Sequence, residues 1–408
     1  HPRTKHKNLL VQYGADLENI PLFTQNMVFY PTNKIRVPVN KKNVLKSGLV
    51  KQEDENLILD YIDIDLPTGG LYKNQILMLD ILANNNWERP IYFTGGSYND
   101  AEYLWMKDYL QLDGLVYKLV PIKTKVDKNN PYELGRIDSS SMYKIVKSWE
   151  WGNSESPEIY HDPETRKNSI SFRGNLHRLA KQLIVDNQNE KAEEILDLSI
   201  EKMPIDYFGY YSLLEPYIST YYSLGKFNKG DKLYKKLSSK YDESLKYYSQ
   251  MSKSKSSRFS MYSFAENIIT DTERYRALLE TLLKSDNNDL KASSIKQFIN
   301  SSEFVLELYG EYEYYTLLYE FVDELYFLNE NEYGTDLYFK ISKPLKERIS
   351  IYMTLEDKED YTQAILNDYF QLKNLLQTIQ KYDSKEDFVL KEIEEFETIS
   401  AELDKIIN

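Results

Sequence analysis

Few residues in this sequence are arranged as catalytic motifs are. The chain has four histidines and no cysteine, so disulfides and thiolate metal sites are excluded. It contains no HExxH, P-loop or GxGxxG pattern. His161 is followed by Asp162, but one His-Asp pair is weak support for a catalytic site. The sequence therefore predicts no catalytic residue, no metal site and no cofactor.

The strongest candidate ligand site is a glycine turn between a strand and a helix. Residues 90–94 are strand formers, and Ser97 or Asn99, three or five residues later, can cap the helix that is expected to follow. Free N–H groups at a helix N-terminus attract anions. The residues predicted to bind such a ligand are Thr94, Gly95, Gly96, Ser97, Tyr98 and Asn99. A plain strand–helix turn fits the same residues, and Lys107 and Lys118 are the nearest cations in the sequence.

Four further residues are candidates for a binding site. Trp87 and Arg89 lie just before the strand, and Trp149 and Trp151 are two positions apart. Two tryptophans this close usually fix a linker to a neighbouring domain, and ligand stacking is the alternative.

The elements that would position these residues form one α/β unit. Residues 71–83 are an apolar helical run, too apolar all round for a surface helix. Strands are expected at 90–94 and 115–122, with a helix between them that ends near Gly114. We expect a mixed sheet over residues 30–122, with strand 90–94 at its centre.

Another strand is indicated by alternation in the sequence before this unit. Ile62 and Ile64 alternate with Asp63 and Asp65. The aspartates could act as a metal or acid/base pair, but carboxylates at i and i+2 of one strand more often face solvent.

The second half of the chain reads as consecutive helices from residue 169 to the end. Apolar and small residues recur there at tetratricopeptide offsets: Leu176, Leu179, Ala180, Leu183, Ala192, Leu196 and Ser199. Ala180 and Ala192 would lie where the two helices of a repeat cross, because a small side chain lets the backbones approach. A degenerate second repeat follows, with Gly230 in the place of Ala192. Residues 357–407 predict a closing antiparallel hairpin.

Composition limits the partners and suggests the domain organisation. The net charge of −13 argues against nucleic acid, because phosphate binding needs a basic face. The sequence has no run of 18 consecutive apolar residues, so no membrane span is predicted.

The fold class expected is an α+β or α/β module followed by an all-α tetratricopeptide-like domain. The boundaries predicted are 1–122 for the module, 123–168 for a linker with a short helix, and 169–408 for the helical domain.

Two segments resemble a known family. They are NNNWERPIYFTGG at 84–96 and YLQLDGLVYKLVP at 109–121. Both resemble bacterial multi-pass membrane proteins of glycosyltransferase family 117, which are related to protein O-mannosyltransferases and have a GT-C membrane domain. The resemblance covers about residues 20–250. It implies that the sugar-donor site and the catalytic acid belong to an upstream membrane domain. The family's Asp/Asn-rich motif is not found here, so no catalytic residue is carried over.

The resemblance implies a non-catalytic periplasmic region of an inner-membrane, glycosyltransferase-like protein. Its expected partners are the upstream membrane domain and, through the helical domain, an acceptor protein or an envelope partner. One alternative is a stand-alone tetratricopeptide-like scaffold of the cell envelope. Another is an enzyme or binding module that uses the Gly95-Gly96 loop for an anionic ligand. About ten or more upstream hydrophobic spans in the parent gene would favour the first interpretation, and a signal peptide alone would favour the scaffold.

Overall fold

A computed structural model describes most of the chain. The described residues are 33–66, 71–94, 105–124, 133–252, 258–302, 311–327, 329–355, 358–382 and 387–407. Contacts divide the chain into two compact units, His1–Tyr210 and Tyr211–Asn408, which are described separately below. A small β-rich module is followed by a mostly helical region, which confirms the predicted fold class. Within the described residues, no helix combines the length and the apolar content that a bilayer-spanning segment needs.

The first unit begins with a two-stranded antiparallel sheet. β1 (Lys34–Pro38) pairs with β2 (Tyr61–Asp65), and α1 (Lys41–Lys46) lies between them in the chain. Ile62 and Ile64 are buried in the core. Asp63 forms a bidentate pair with Arg36 opposite it, at 2.8 and 3.0 Å. The aspartates of β2 are therefore cross-strand partners on the outer face, as the more ordinary interpretation predicted.

A second, three-stranded sheet contains the segments of the predicted α/β unit. It follows α2 (Lys73–Asn85) and has the order β3-β5-β4, with both ladders antiparallel. The strands are β3 (Tyr92–Thr94), β4 (Leu110–Asp113) and β5 (Val116–Leu119). The predicted mixed sheet with a central strand at 90–94 is wrong, because both described sheets are antiparallel, β3 lies at the edge of its sheet as far as the described residues go, and that sheet contains neither β1 nor β2.

The predicted helix that ends at Gly114 is wrong for residues 110–113, which form β4. Gly114 is instead the first loop residue of a tight hairpin between β4 and β5, with φ +72°. A two-residue hairpin loop favours glycine at a position with positive φ. Glycine ends helices for the same conformational reason, so this residue alone did not distinguish the two structures.

α2 is less buried than its composition predicted. Leu82 is in the core, but Ile76, Leu77 and Ile81 are 53%, 62% and 58% exposed. The helix therefore packs along one narrow face, and the prediction that it is buried all round is wrong.

The rest of the first unit is helical. Asp138 caps α3 (Ser139–Lys147), because its side chain accepts a hydrogen bond from the Ser141 N–H at 3.1 Å. Three further helices follow: α4 (Pro163–Val185), α5 (Asn189–Lys202) and the one-turn α6 (Ile205–Phe208). α4 packs along α5, and Ala180 and Ala192 are fully buried. The predicted helical domain started at residue 169, whereas α4 and α5 lie in the same compact unit as the β-rich module.

The second unit consists of helical hairpins. Its helices are α7 (Glu215–Ser223), α8 (Phe227–Ser252), α9 (Arg258–Leu283), α10 (Asn288–Ser302), α11 (Glu311–Phe327), α12 (Asn331–Thr354), α13 (Thr362–Tyr382) and α14 (Asp387–Ile407). Successive pairs pack together, and α9, α11 and α13 pack side by side. In the last hairpin Tyr369 stacks on Phe396 at 4.8 Å and bonds Ser400 at 3.0 Å. These contacts pair the first half of α13 with the middle and second half of α14, which is the predicted antiparallel arrangement.

Three hairpins, one in the first unit and two in the second, share one turn. The helices α4, α7 and α11 each end before a left-handed residue: Asn187 (φ 57°), Gly225 (φ 70°) and Asn329 (φ 61°). The N–H of the next residue bonds the carbonyl five positions back, at 2.8 Å in all three turns. This is the Schellman arrangement, which satisfies carbonyls at a helix end.

Candidate functional site

An aromatic pocket of about 450 Å³ lies among the described residues of the first unit. This volume lies within the range of small-molecule sites. Its lining comes from the β4–β5 turn, the segment after α3, the first turns of α4 and the segment after α5. The lining residues include Leu115, Trp149, Glu150, Trp151, Ser154, His161, Thr165, Asn168, Ser169, Phe172, Met203 and Phe208.

Three rings form the main wall of the aromatic pocket. Trp149 and Trp151 meet edge to face at 5.6 Å between centroids, and Phe172 lies 5.3 Å from the first and 5.6 Å from the second. Aromatic pairs favour such tilted contacts over a parallel sandwich. On another side of the pocket, His161 packs on Phe208 at 4.5 Å. The pocket is thus bounded by ring surfaces in several orientations.

The β4–β5 turn fixes the position of Trp149. A Cβ atom on Gly114 would lie 2.8 Å from Cζ2 of the indole, so this glycine is required for space as well as for its positive φ. Asn175 of α4 donates a hydrogen bond to the Gly114 carbonyl at 2.9 Å. The indole is therefore held between the hairpin turn and the helix that supplies Phe172.

A fully buried arginine holds the segment that closes the aromatic pocket. Arg173 of α4 donates from Nη2 to the Met203 carbonyl at 2.7 Å and from Nη1 to the Tyr210 carbonyl at 3.0 Å, and it also bonds the Gly209 carbonyl. Guanidinium groups have rigidly placed donors that can bridge several acceptors. Phe208 is fixed in the wall because the chain is tied on both sides of it.

Side-chain contacts also hold the segment between α3 and α4, residues 148–162, against the end of α5. Ser154 donates to the Lys202 carbonyl at 2.6 Å, and Lys202 pairs with Glu155 at 2.7 Å. The carbonyl of Ser154 lies 2.9 Å from Nε2 of His161. These bonds position the ring of His161 and the backbone that follows Trp151 in the chain.

Asp162 caps α4 and does not act with His161 as a pair. Its Oδ1 accepts from the N–H groups of Glu164 and Thr165 at 2.8 and 3.0 Å, and its Oδ2 accepts from the Thr165 hydroxyl at 2.6 Å. The Thr165 hydroxyl, followed by these backbone N–H groups, lowers the pKa of the Asp162 carboxyl. The carboxylate is engaged by the helix start, which is a structural role.

The described lining of the aromatic pocket combines flat rings with a few polar side chains. Among the described residues that line it, Glu150 supplies a carboxylate and His161 an imidazole, and there is no second carboxylate. Glycoside hydrolysis commonly needs two facing carboxyl groups. Flat apolar rings beside hydroxyl, amide and carboxylate groups match a ligand with one apolar face and polar edges.

Comparison with known proteins supports a link to one family for the N-terminal part. Residues 4–141 match a family described as TMEM260-associated domain 2, which is loosely consistent with the resemblance described above. No curated protein matches the chain. One solved structure, a "Circular tandem repeat protein with novel repeat topology and enhanced subunit contact surfaces", aligns with a TM-score of 0.40 and 12% identity. That alignment covers 66% of this chain and 64% of the other chain.

The family match includes the β-rich module and the start of α3 but stops before the tryptophans of the aromatic pocket. The wall residue Leu115 lies inside the matched range, whereas the residues from Trp149 to Phe208 lie outside it.

The predicted anion loop lies mostly outside the described residues. Thr94 ends the edge strand β3, but Gly95, Gly96, Ser97, Tyr98 and Asn99 are not among the residues described. Lys118 is buried and paired with Asp113 at 2.9 Å. This amine is therefore committed to a neighbouring carboxylate and not to an anion at the loop. Ligand binding by the loop stays a prediction.

The four remaining candidates fall into two different settings. Trp87 is 4% exposed, and its indole N–H donates to the Pro38 carbonyl at 2.8 Å; it is a core residue of the β-rich module. Arg89 is exposed, and its backbone is bonded to the Asn85 side chain. Only Trp149 and Trp151 of these four line the aromatic pocket.

Sequence reasoning did not identify Phe172 and Phe208 as pocket residues. Phe172 lies four residues before Leu176 and seven before Leu179, so it continues their apolar face towards the start of α4. This i, i+4, i+7 spacing is the signal that could have identified Phe172 as a packed ring, but helix spacing does not show that the ring lines a pocket. Phe208 gives no such signal, because the one-turn helix α6 is too short for a pattern.

Proposed function

We propose that this chain is the non-catalytic accessory region of a glycosyltransferase-like membrane protein, and that its aromatic pocket holds a pyranose ring. The observation that carries the proposal is the wall of Trp149, Trp151 and Phe172 beside polar side chains. The match to a TMEM260-associated domain supports it, because TMEM260 is described as O-mannosyltransferase-like. The catalytic site and the donor lipid would belong to other parts of the parent protein.

The physical basis of the proposed sugar site is face-on stacking. One face of a pyranose carries C–H groups with a small positive charge, and the face of an indole is electron-rich. The hydroxyls at the ring edge would find the Glu150 carboxylate, the Asn168 amide and the Thr165 hydroxyl at the rim. The side chains of Glu150 and Asn168 are exposed, so meeting the ligand requires little desolvation.

We also propose a cellular location and binding partners for this region. The region would face the periplasm and pack beside its own upstream membrane domain. Its helical hairpins would bind an acceptor protein or an envelope partner. A stand-alone envelope scaffold remains the competing function, and it requires neither a sugar in the aromatic pocket nor an upstream transferase.

A titration of the purified chain with methyl α-mannopyranoside tests the binding site, with tryptophan fluorescence and amide chemical shifts as readouts. We expect a dissociation constant of about 1 mM, and Trp151→Ala should weaken binding about tenfold. Tyr160→Ala is the matched control, because Tyr160 is an aromatic residue of the same segment that is 83% exposed and does not line the pocket. Equal binding by both variants, or shifts confined to residues away from the pocket, would contradict a sugar site.

A separate assay tests the non-catalytic role. The purified chain should neither transfer nor hydrolyse sugar from a lipid-linked donor. Turnover that a single substitution within the chain abolishes would show that it is an enzyme.

A further inference from the structure

The second unit has a polar groove that is separate from the aromatic pocket. The groove has a volume of about 740 Å³ and lies across α9, α11 and α13. These are the first helices of three successive hairpins, and they pack side by side. Such a row gives an extended surface of the kind that helical-repeat proteins use for binding.

The groove is polar because one face of each helix is turned away from the core. On α13, Asn374, Gln377 and Thr378 line the groove, whereas Leu375 and Ile379 on the opposite face are buried. Residues three and four apart share a face of a helix. The polar side chains therefore form a continuous stripe and are not scattered surface residues.

Four of the charges in the groove are already paired. Arg276 bonds Glu280 one turn along α9 at 2.5 Å. Lys381 of α13 bonds Asp323 of α11 at 3.1 Å. Each pair is neutral as a whole, so these four residues do not define the charge that a ligand must have.

Three lining groups remain available to a ligand. The side-chain amides of Asn374 and Gln377 are exposed and bond no described residue, and the Glu324 carboxylate pairs with no described cation. Each amide offers two donor hydrogens and an acceptor oxygen. An extended polypeptide presents alternating N–H and C=O groups that such amides can bond. The unpaired carboxylate of Glu324 favours a positive side chain on that polypeptide.

We infer that the α9–α11–α13 groove binds an extended polypeptide with a basic side chain placed against Glu324, while Asn374 and Gln377 bond its backbone. A saccharide fits the groove less well. Tyr319 is the aromatic residue among the lining residues described, and its hydroxyl is bonded to the Gln371 carbonyl. This site is independent of the aromatic pocket, so either proposal can fail without the other.

Selection from a displayed library of random octapeptides against the immobilised full chain tests the inference. The enriched peptides should share a Lys or Arg at a constant position. One of them is then synthesised, labelled and titrated with the chain by fluorescence anisotropy. We expect Glu324→Gln to weaken binding about tenfold, and the pair Asn374→Ala with Gln377→Ala to weaken it by about the same factor.

A matched control exists on the same helix. Gln363 and Asn367 are exposed on α13, but their side chains bond each other at 3.0 Å and they do not line the groove. Changing both to alanine should leave peptide binding unchanged. Melting curves of all variants should superimpose, because every substituted side chain is on the surface.

Two outcomes would overturn the inference. One is an absence of enrichment above a blank support. The other is a selected peptide that binds the Glu324 variant and the Asn374/Gln377 variant as tightly as the unchanged chain, since it would then occupy a different surface.

Discussion

The α7–α8 and α11–α12 hairpins of the second unit have the same backbone turn but different polar side chains. Each helix pair is joined by a Schellman turn, and each has a glycine five residues after the left-handed position. Gly230 lies against the ring of Tyr222, and Gly334 lies against the ring of Tyr326. In both hairpins a tyrosine of the first helix packs where the second helix has no side chain.

The difference lies one residue beyond each glycine. In the first hairpin Asp231 is 7% exposed and accepts from Tyr222 at 2.9 Å, from Ser285 at 3.2 Å and from Asn287 at 2.8 Å. In the second hairpin Thr335 bonds Tyr326 at 2.7 Å. The carboxylate thus reaches the turn after α9, whereas the threonine bonds within its own hairpin.

The turn and the small residue define this repeat, whereas the polar residue after the small one varies. The left-handed turn and the glycine five residues after it are common to both hairpins. The α4–α5 hairpin has the same turn with Ala192 at the position of that glycine, which is called the small position below. Bonding to the next hairpin depends on the following polar residue. We therefore expect substitutions at the small position to matter in all three hairpins, and substitutions of the polar contact to matter mainly in α7–α8.

The largest effect is expected at the small position of the α4–α5 hairpin. Ala192→Leu should lower the free energy of unfolding by about 1–3 kcal/mol, because Ala192 is fully buried and the added atoms overpack the crossing. Ala401→Leu on the exposed face of α14 is the control and should cost less. Urea denaturation measures both, and equal midpoints would contradict a shared requirement for a small residue.

A smaller but more specific effect is expected at the two glycines. A Cβ atom at Gly230 would lie 2.3 Å from the Tyr222 ring, and one at Gly334 would lie 2.9 Å from the Tyr326 ring. Alanine by itself favours a helix over glycine by about 1 kcal/mol. Gly230→Ala should still lose about 2 kcal/mol through overpacking, and Gly334→Ala should lose clearly less. A larger loss at Gly334 would break the comparison.

The polar difference is tested by removing the two tyrosine hydroxyls. Tyr222→Phe removes a donor from a buried carboxylate and should cost about 1.5 kcal/mol, whereas Tyr326→Phe removes a neutral bond and should cost about 0.5–1 kcal/mol. Chemical denaturation of the two variants beside the unchanged chain measures the difference. Costs in the opposite order would show that Asp231 is satisfied without Tyr222.

The smallest effect concerns acid pH. Glu215 of α7 bonds Tyr241 and lies 3.4 Å from Arg274, while the aligned residue of α11 is Tyr319. Burial raises the pKa of the Glu215 carboxyl and also that of Asp271 on α9. Both groups then hold a proton more tightly in the folded state, so their contribution to the free energy of unfolding falls as the pH rises through their raised pKa values.

The double variant Glu215→Gln with Asp271→Asn removes this contribution. The free energy of unfolding of the unchanged chain, minus that of the variant, should decrease as the pH rises from about 4 towards neutrality. Denaturation at a series of pH values gives this difference directly. A difference that stays constant or increases with pH would show that burial does not dominate at these two groups.

The sequence predicted the parts of the fold that depend on local pattern. The alternation around Ile62 and the buried alanines of α4–α5 are both confirmed. The α11–α12 repeat was missed because Asn329 stands where α7–α8 has Gly225. Both residue types tolerate the left-handed conformation, but asparagine is a weaker signal of a helix end.

The aromatic pocket was predicted only in part. Trp149 and Trp151 were candidates because they are close in sequence, and their proximity is itself the signal. His161, Phe172 and Phe208 join them through tertiary contacts between α4, α5 and the linker, which no local pattern specifies. The role of Gly114 depended on the same contacts, since its need for space comes from an indole more than 30 residues away.

The buried Arg173 has a consequence for the order of folding. Its guanidinium bonds carbonyls 30 to 37 residues later in the chain, so the segment with Phe208 is fixed only after α5 has folded back on α4. Long-range contacts of this kind form late, because the entropy of closing the loop must first be offset. A partly folded chain with α4 alone would have no closed pocket. A bound ligand should therefore slow hydrogen exchange at the amides of α5, although the described lining of the pocket includes no residue of α5 itself.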